Sequence, residues 1–145
     1  MPKNILLVYG SSTGNTESLS YYIADLIKKA GHTLNLKDVC DINGSVFDTT
    51  YDLHLICVST WGIEPAELQE DFEFFWKALD KGKLRGKNFM VFGMGDAYYP
   101  YFAVSKDMVE EDIVKYGGIV ALQGLKIQDP WEDYKKEINE AISHI

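Results

Sequence analysis

One run of small polar residues, Gly10-Ser11-Ser12-Thr13-Gly14-Asn15-Thr16, concentrates more hydrogen-bonding capacity than any other stretch of the chain. It follows an apolar run, Ile5 to Tyr9, and precedes an amphipathic segment, so the order is strand, small-hydroxyl loop, helix. Such a turn aims several backbone N–H groups at one point, beside the positive end of a helix dipole. Ser11, Ser12, Thr13 and Thr16 add hydroxyl donors and Asn15 an amide, while the loop holds no Lys or Arg. The pattern predicts a phosphate gripped by neutral hydrogen bonds and by no cation. A nucleoside-triphosphatase loop needs a Lys before the hydroxyl residue at the helix start, and here Asn15 precedes Thr16. The dinucleotide fingerprint spaces its glycines differently from Gly10 and Gly14. A solvated turn with a helix cap would use the same residue types; two further loops of unusual composition weigh against it.

The elements that must position this loop follow from periodicity. Residues 4 to 9 read as a first strand, apolar throughout and so covered on both faces. Thr16 to Ala30 reads as a helix, with Leu19, Ile23, Leu26, Ile27 and Ala30 on one face and Gly31 able to close it in the left-handed conformation. His32 to Leu36 alternates as an edge strand would, and residues 38 to 51 form a weakly periodic connector. Asp52 to Ser59 is a third strand, Glu67 to Leu79 a helix with Leu68, Phe72, Phe75, Trp76 and Leu79 inward, and Asn88 to Gly93 a fourth strand. A helix over 103 to 116 turns Val109, Ile113 and Tyr116 inward. A fifth strand begins at Ile119, breaks near Gly124 and resumes at Leu125-Lys126-Ile127. Trp131 to Ile145 is the last helix, inward at Tyr134, Ile138, Ala141, Ile142 and Ile145. Strand and helix alternate, which calls for a parallel α/β sheet with helices on both faces. Ligands of such sheets bind beyond the carboxyl ends of the strands.

The 145 residues suggest a single domain spanning 1–145. A net charge of -8 argues against nucleic acid and anionic membranes as partners and suits docking onto basic protein surfaces. Cys40 and Cys57 have no metal-ligand spacing; Cys57, inside an apolar strand, is expected to be a buried thiol. His32, His54 and His144 form no cluster and are expected to be incidental. Met1-Pro2-Lys3-Asn4 runs straight into the first strand, which leaves no room for a signal peptide, and no apolar run is long enough to span a bilayer. A cytoplasmic location is expected.

The two other strand-end loops are Thr60 to Pro65 and Met94 to Phe102. They offer Trp61 and the tyrosines Tyr98, Tyr99 and Tyr101, with glycines beside them. Aromatics on neighbouring loops make a slot for a flat ring, so the three loops together predict a phosphate monoester carrying a large planar ring. Gly10 to Thr16, Ser59-Thr60-Trp61-Gly62, Gly95-Asp96 with Tyr99 after it, and Leu68-Gln69-Glu70-Asp71-Phe72 together resemble a short-chain bacterial flavodoxin. The likeness covers essentially the whole chain, and the long insertion that interrupts strand five in long-chain members is missing.

The resemblance implies a flavodoxin-like fold: a five-stranded parallel sheet in strand order 2-1-3-4-5. It implies one non-covalently bound FMN. Carried over by position, Ser11, Ser12, Thr13, Gly14, Asn15 and Thr16 would wrap the phosphate. Ser59, Thr60, Trp61 and Gly62 would line the ribityl chain and one side of the ring. Met94, Gly95 and Asp96 would meet its polar edge, and Tyr99 would stack on the outer face with Tyr101 and Phe102 in support. Gly62 would turn its carbonyl toward the flavin in the semiquinone, a flip that glycine tolerates.

The implied function is a low-potential one-electron carrier, shuttling between semiquinone and hydroquinone to redox partner proteins. An electron-transfer protein and not an enzyme is expected. Glu64, Glu67, Glu70, Asp71 and Asp96 would make an added negative charge unfavourable. An effective dielectric of about 40 and a separation of about 12 Å give roughly 0.7 kcal/mol per charge, on the order of 30 mV for a one-electron step. Ile63 and Pro100 stand where relatives often carry acidic residues, and both remove charge near the ring. The main alternative is a flavodoxin-like NAD(P)H:quinone reductase, which would need a nicotinamide pocket where Tyr99 is expected to stack. A phosphoacceptor domain would need acidic residues where Tyr9-Gly10 and Ser59-Thr60 stand.

Overall fold

The computed structural model describes residues 2–61, 67–95 and 103–145. Strand β1 (Asn4–Tyr9) lies in a parallel sheet between β2 (Thr33–Asp38) and β3 (Leu53–Trp61). Strand β5 (Asn88–Gly95) pairs with β3 from His54 to Ser59, and β6 (Ile119–Val120) and β7 (Lys126–Gln128) both lie along its far side. The order β2-β1-β3-β5-β6 is the expected one, with β6 and β7 as the two pieces of the interrupted fifth strand.

Because side chains alternate across a strand, the sheet divides its apolar residues between two layers. Ile5, Leu7, Tyr9, Leu55, Cys57 and Phe92 pack with helices α1 (Asn15–Lys29) and α4 (Lys135–Ser143). Leu6, Val8, Ile56, Val58, Phe89 and Val91 pack with α2 (Glu70–Ala78) and α3 (Val104–Lys115). Burial pushes the Cys57 thiol up to about 12, so it stays a neutral apolar filler. Gly31 closes α1 with φ 94, and Trp76 is buried with its indole N–H donating to Asp112 at 2.8 Å.

Four helices differ from the sequence expectation. Residues Glu67–Leu68 form β4, antiparallel to Thr60–Trp61, so the helix begins at Glu70 instead of Glu67. The cause is Gln69, whose side chain accepts the Phe72 N–H at 2.9 Å and caps the helix there. Tyr116 is turned outward, since α3 stops at Lys115 and Gly117, at φ 89, redirects the chain. Ala30 is likewise exposed, as the cap residue beyond α1. The last helix opens with a tighter turn over Trp131–Tyr134 before becoming α-helical at Lys135.

His54 is not incidental to packing. It is 1% exposed, set against Phe47, Tyr51 and Phe89, and its Nδ1–H donates to the Asn88 carbonyl at 2.9 Å. Its Nε2 has no partner among the described residues. Burial, aided by the charge of Lys87, holds its pKa below the ordinary 6.5. The unfolded chain therefore takes up the proton first as pH falls. Stability is full above about 6.5 and declines as pH drops toward the folded value. Urea midpoints at pH 7 and pH 5 are expected to fall further for the native chain than for His54→Leu; equal falls would remove His54 as the cause.

Candidate functional site

The connection β1 to β2 runs one way along the sheet, and β3 then returns to the other side of β1. The switch in strand order therefore lies between the carboxyl ends of β1 and β3, where open α/β sheets hold their ligands. The loop of residues 10–14 leaves β1 at this point.

Inside the loop, the Gly14 N–H donates to Ser11 Oγ at 3.0 Å, which folds the turn back on itself. Gly14 has φ 92, in the left-handed region that favours glycine, and is the N-cap of α1 with no side-chain cap bond. Its carbonyl accepts the Ser18 N–H at 2.9 Å, starting the helix. The earlier N–H groups of the first turn have no such carbonyl behind them. Ser12 and Thr13 are exposed at the tip. The Thr16 hydroxyl instead donates to Met94 Sδ at 3.5 Å, and the Asn15 amide donates to the Asp129 carboxylate at 2.7 Å. Those two side chains tie the loop to β5 and to the residue following β7; what they offer a ligand is main-chain N–H. Tyr9 donates its hydroxyl to Glu17 at 2.9 Å, and burial together with Glu17 raises its pKa, keeping it a donor.

The end of β3 is held from two sides. The Ser59 carbonyl accepts the Gln69 N–H at 2.9 Å, and Ser59 Oγ accepts the Trp61 indole N–H at 3.0 Å. Trp61 is the last strand residue and is 45% exposed, an apolar ring standing at the carboxyl end of β3. On the opposite face, the Thr60 hydroxyl donates to Ser105 Oγ at 2.7 Å and accepts the Ser105 N–H at 3.0 Å, which locks β3 to the first turn of α3.

Met94 is buried and Gly95 half-buried at the end of β5. A Cβ on Gly95 would lie 2.6 Å from the Ala103 N and 2.9 Å from its Cα, so this close backbone approach admits only glycine. The expected site residues Gly62, Asp96, Tyr99, Tyr101 and Phe102, together with Ile63, Glu64, Tyr98 and Pro100, lie outside the described residues.

The structure thus brings Ser11, Ser12, Thr13, Gly14, Asn15, Thr16, Ser59, Thr60, Trp61, Met94 and Gly95 to the carboxyl ends of neighbouring strands. It adds three residues that the sequence reading did not assign to the site: Gln69, Ser105 and Asp129. Gln69 carried a readable signal as a polar residue three before Phe72 at a helix start. Ser105 and Asp129 carried none, because each acts through a partner distant in sequence.

A donor set of main-chain amides and hydroxyls, an uncapped helix start and an exposed indole suits a phosphate monoester with a planar ring. The fold defines an open parallel α/β domain, of the class whose ligands bind at the switch in strand order.

Within that class the chain belongs to the flavodoxin family, whose model matches residues 7–140. It is 41% identical over 129 residues to a flavodoxin of Maridesulfovibrio salexigens, covering 88% of each chain. Oxidised flavodoxin 2 from Bacillus cereus superposes with a TM-score of 0.83 at 30% identity, over 97% of this chain and 98% of that one. Fusobacterium nucleatum flavodoxin bound to flavin mononucleotide shares the fold, with a TM-score of 0.78 at 16% identity over 98% of this chain and 96% of that one. Among the described residues no helix is long and apolar enough to cross a membrane.

Proposed function

We propose that the loop of residues 10–16 holds the phosphate of non-covalently bound FMN and that Trp61 covers one side of its ring. The chain is an electron carrier of the flavodoxin family and not an enzyme. The observation that carries the site assignment is the start of α1, which has no side-chain cap and presents its first-turn amides beside the exposed hydroxyls of Ser12 and Thr13. Ser11 and Gly14 shape the turn, while Asn15 and Thr16 give main-chain donors. Ser59 and Thr60 line the ribityl chain, and Met94 and Gly95 meet the polar edge. Gly62, Asp96, Tyr99, Tyr101 and Phe102 are assigned to the ring by the family resemblance alone.

When bound, the flavin supplies the capacity to take up and release electrons one at a time, and the protein tunes that capacity. Glu67 sits opposite Trp61 in the β3–β4 pair, and Glu70 and Asp71 open α2 just beyond. Their negative field disfavours any gain of negative charge at the ring and lowers the potential of the later electron. The test is stepwise reduction of the FMN-loaded protein followed by visible spectroscopy. Two separated one-electron waves are expected; a single two-electron wave, or failure to take up FMN, would overturn this reading. Mixing with NADPH and a quinone is expected to give no rapid turnover, in contrast to a quinone reductase.

The chain acts as a monomeric, cytoplasmic single domain that docks onto basic surfaces of its redox partners, in keeping with its charge of -8. Electron-transfer rates to a basic partner should fall as salt rises. Rates indifferent to ionic strength would remove charge-guided docking.

A further inference from the structure

Gln69 is fully buried, yet all of its polar atoms are engaged. Its Oε1 accepts the Phe72 N–H at 2.9 Å, and its Nε2 donates to Ser12 Oγ at 2.8 Å and to the Asp71 carboxylate at 3.0 Å. Its main chain is tied as well: the N–H donates to the Ser59 carbonyl at 2.9 Å, and the carbonyl accepts the Glu73 N–H at 2.8 Å. The orientation of the side-chain amide is settled by its neighbours. A main-chain N–H must meet the oxygen and a carboxylate must meet the nitrogen, so Nε2 faces Ser12. The amide oxygen packs close against the chain at Gly10, where a Cβ would come within 2.4 Å of Oε1.

This geometry has a polarity. Ser12 Oγ is occupied as an acceptor by Gln69, which leaves its own O–H free to donate, and Ser12 is exposed at the loop tip. Gln69 also directly follows β4, the strand that pairs with Thr60–Trp61. One buried amide therefore spans the phosphate loop and the base of the Trp61 hairpin, across 57 positions of sequence.

We propose that Gln69 is a positioning residue for the cofactor: it aims the Ser12 hydroxyl at the phosphate and anchors that hydroxyl to the stem that carries Trp61. The proposal rests on the reading of residues 10–16 as a phosphate cradle. Gln69 touches no part of the ligand and acts only through Ser12. Its removal therefore weakens binding of a flavin with a phosphate more than binding of one without.

The test is a double-mutant cycle with Gln69→Met and Ser12→Ala, each titrated as apoprotein with FMN and with riboflavin. Each single variant is expected to lower the preference for FMN over riboflavin by roughly tenfold. Riboflavin affinity should change less than threefold, and the double variant should lose no more than either single one. Equal weakening of both ligands in Gln69→Met would show a merely structural role and overturn the proposal, as would losses that multiply in the double variant.

Should Gln69→Met not fold, the native protein decides. The side-chain amide resonances of Gln69 should differ between the FMN and riboflavin complexes, and identical positions would overturn the proposal. Native protein that binds neither flavin would instead sink the functional reading itself.

Discussion

Gly124→Ala is expected to strip the far edge from the sheet and to cost the fold about 3 kcal/mol or more. A Cβ at Gly124 would stand 1.9 Å from the Val91 carbonyl oxygen, 2.6 Å from its carbon and 3.3 Å from the Phe92 N. All three are main-chain atoms of β5, a strand buried on both faces, so no flexible side chain can give way. Relief must come from the segment that carries Gly124. Residues 121–125 would have to lift off β5, breaking the bond from the Gly93 N–H to the Leu125 carbonyl at 3.0 Å. Pairing of β7 with residues 93 to 95 would loosen next, together with the buried Ile127. For a chain of this size such a loss corresponds to roughly a 10 °C fall in Tm. A fall below about 2 °C in a thermal melt would show that the contact is readily relaxed.

Gly10→Ala is expected to weaken FMN binding by about tenfold. The added methyl would meet Gln69 Oε1 at 2.4 Å, Phe72 Cβ at 2.9 Å and the Phe72 N at 3.1 Å. Either Gln69 leaves its place or α2 backs away. Both outcomes break the cap on Phe72 and the bond to Ser12. Each buried hydrogen bond lost costs about 1–3 kcal/mol. Only the bond to Ser12 bears on the ligand, and about 1.4 kcal/mol there converts to roughly a tenfold change in Kd, as for Gln69→Met, while the lost cap lowers stability. Fluorescence titration of the apoprotein with FMN measures it. Gly31→Ala is the natural comparison: its strain comes from φ 94 with nothing within 4 Å, so it should lower stability and leave FMN affinity alone. An affinity within threefold of native for Gly10→Ala would mean that the loop tolerates a side chain there.

These two glycines show where sequence reading stopped. Gly124 was legible as a break in the fifth strand because a glycine interrupts an apolar run. Nothing local says that the break presses on Val91. Gly10 was legible as part of a phosphate-type loop by composition, while the reason it must be glycine is an amide from residue 69. His54 read as incidental for the same reason: its aromatic box is built from Phe47, Tyr51 and Phe89, which adjacent residues do not announce.

By itself the sequence determined the parallel sheet, the broken fifth strand and the donor types of the first loop, while the strand order came with the family resemblance. Side-chain period, turn residues and donor types are properties of short stretches, and each strand here repeats its signal residue by residue. Tertiary structure decided that residues 67 and 68 form a strand, that Thr60 locks onto Ser105, that Asn15 turns to Asp129, and that Gln69 bridges two loops. Apart from the short pairing of residues 67 and 68 with 60 and 61, those features are meetings between residues tens of positions apart, and such meetings exist only once the sheet has brought its strand ends together.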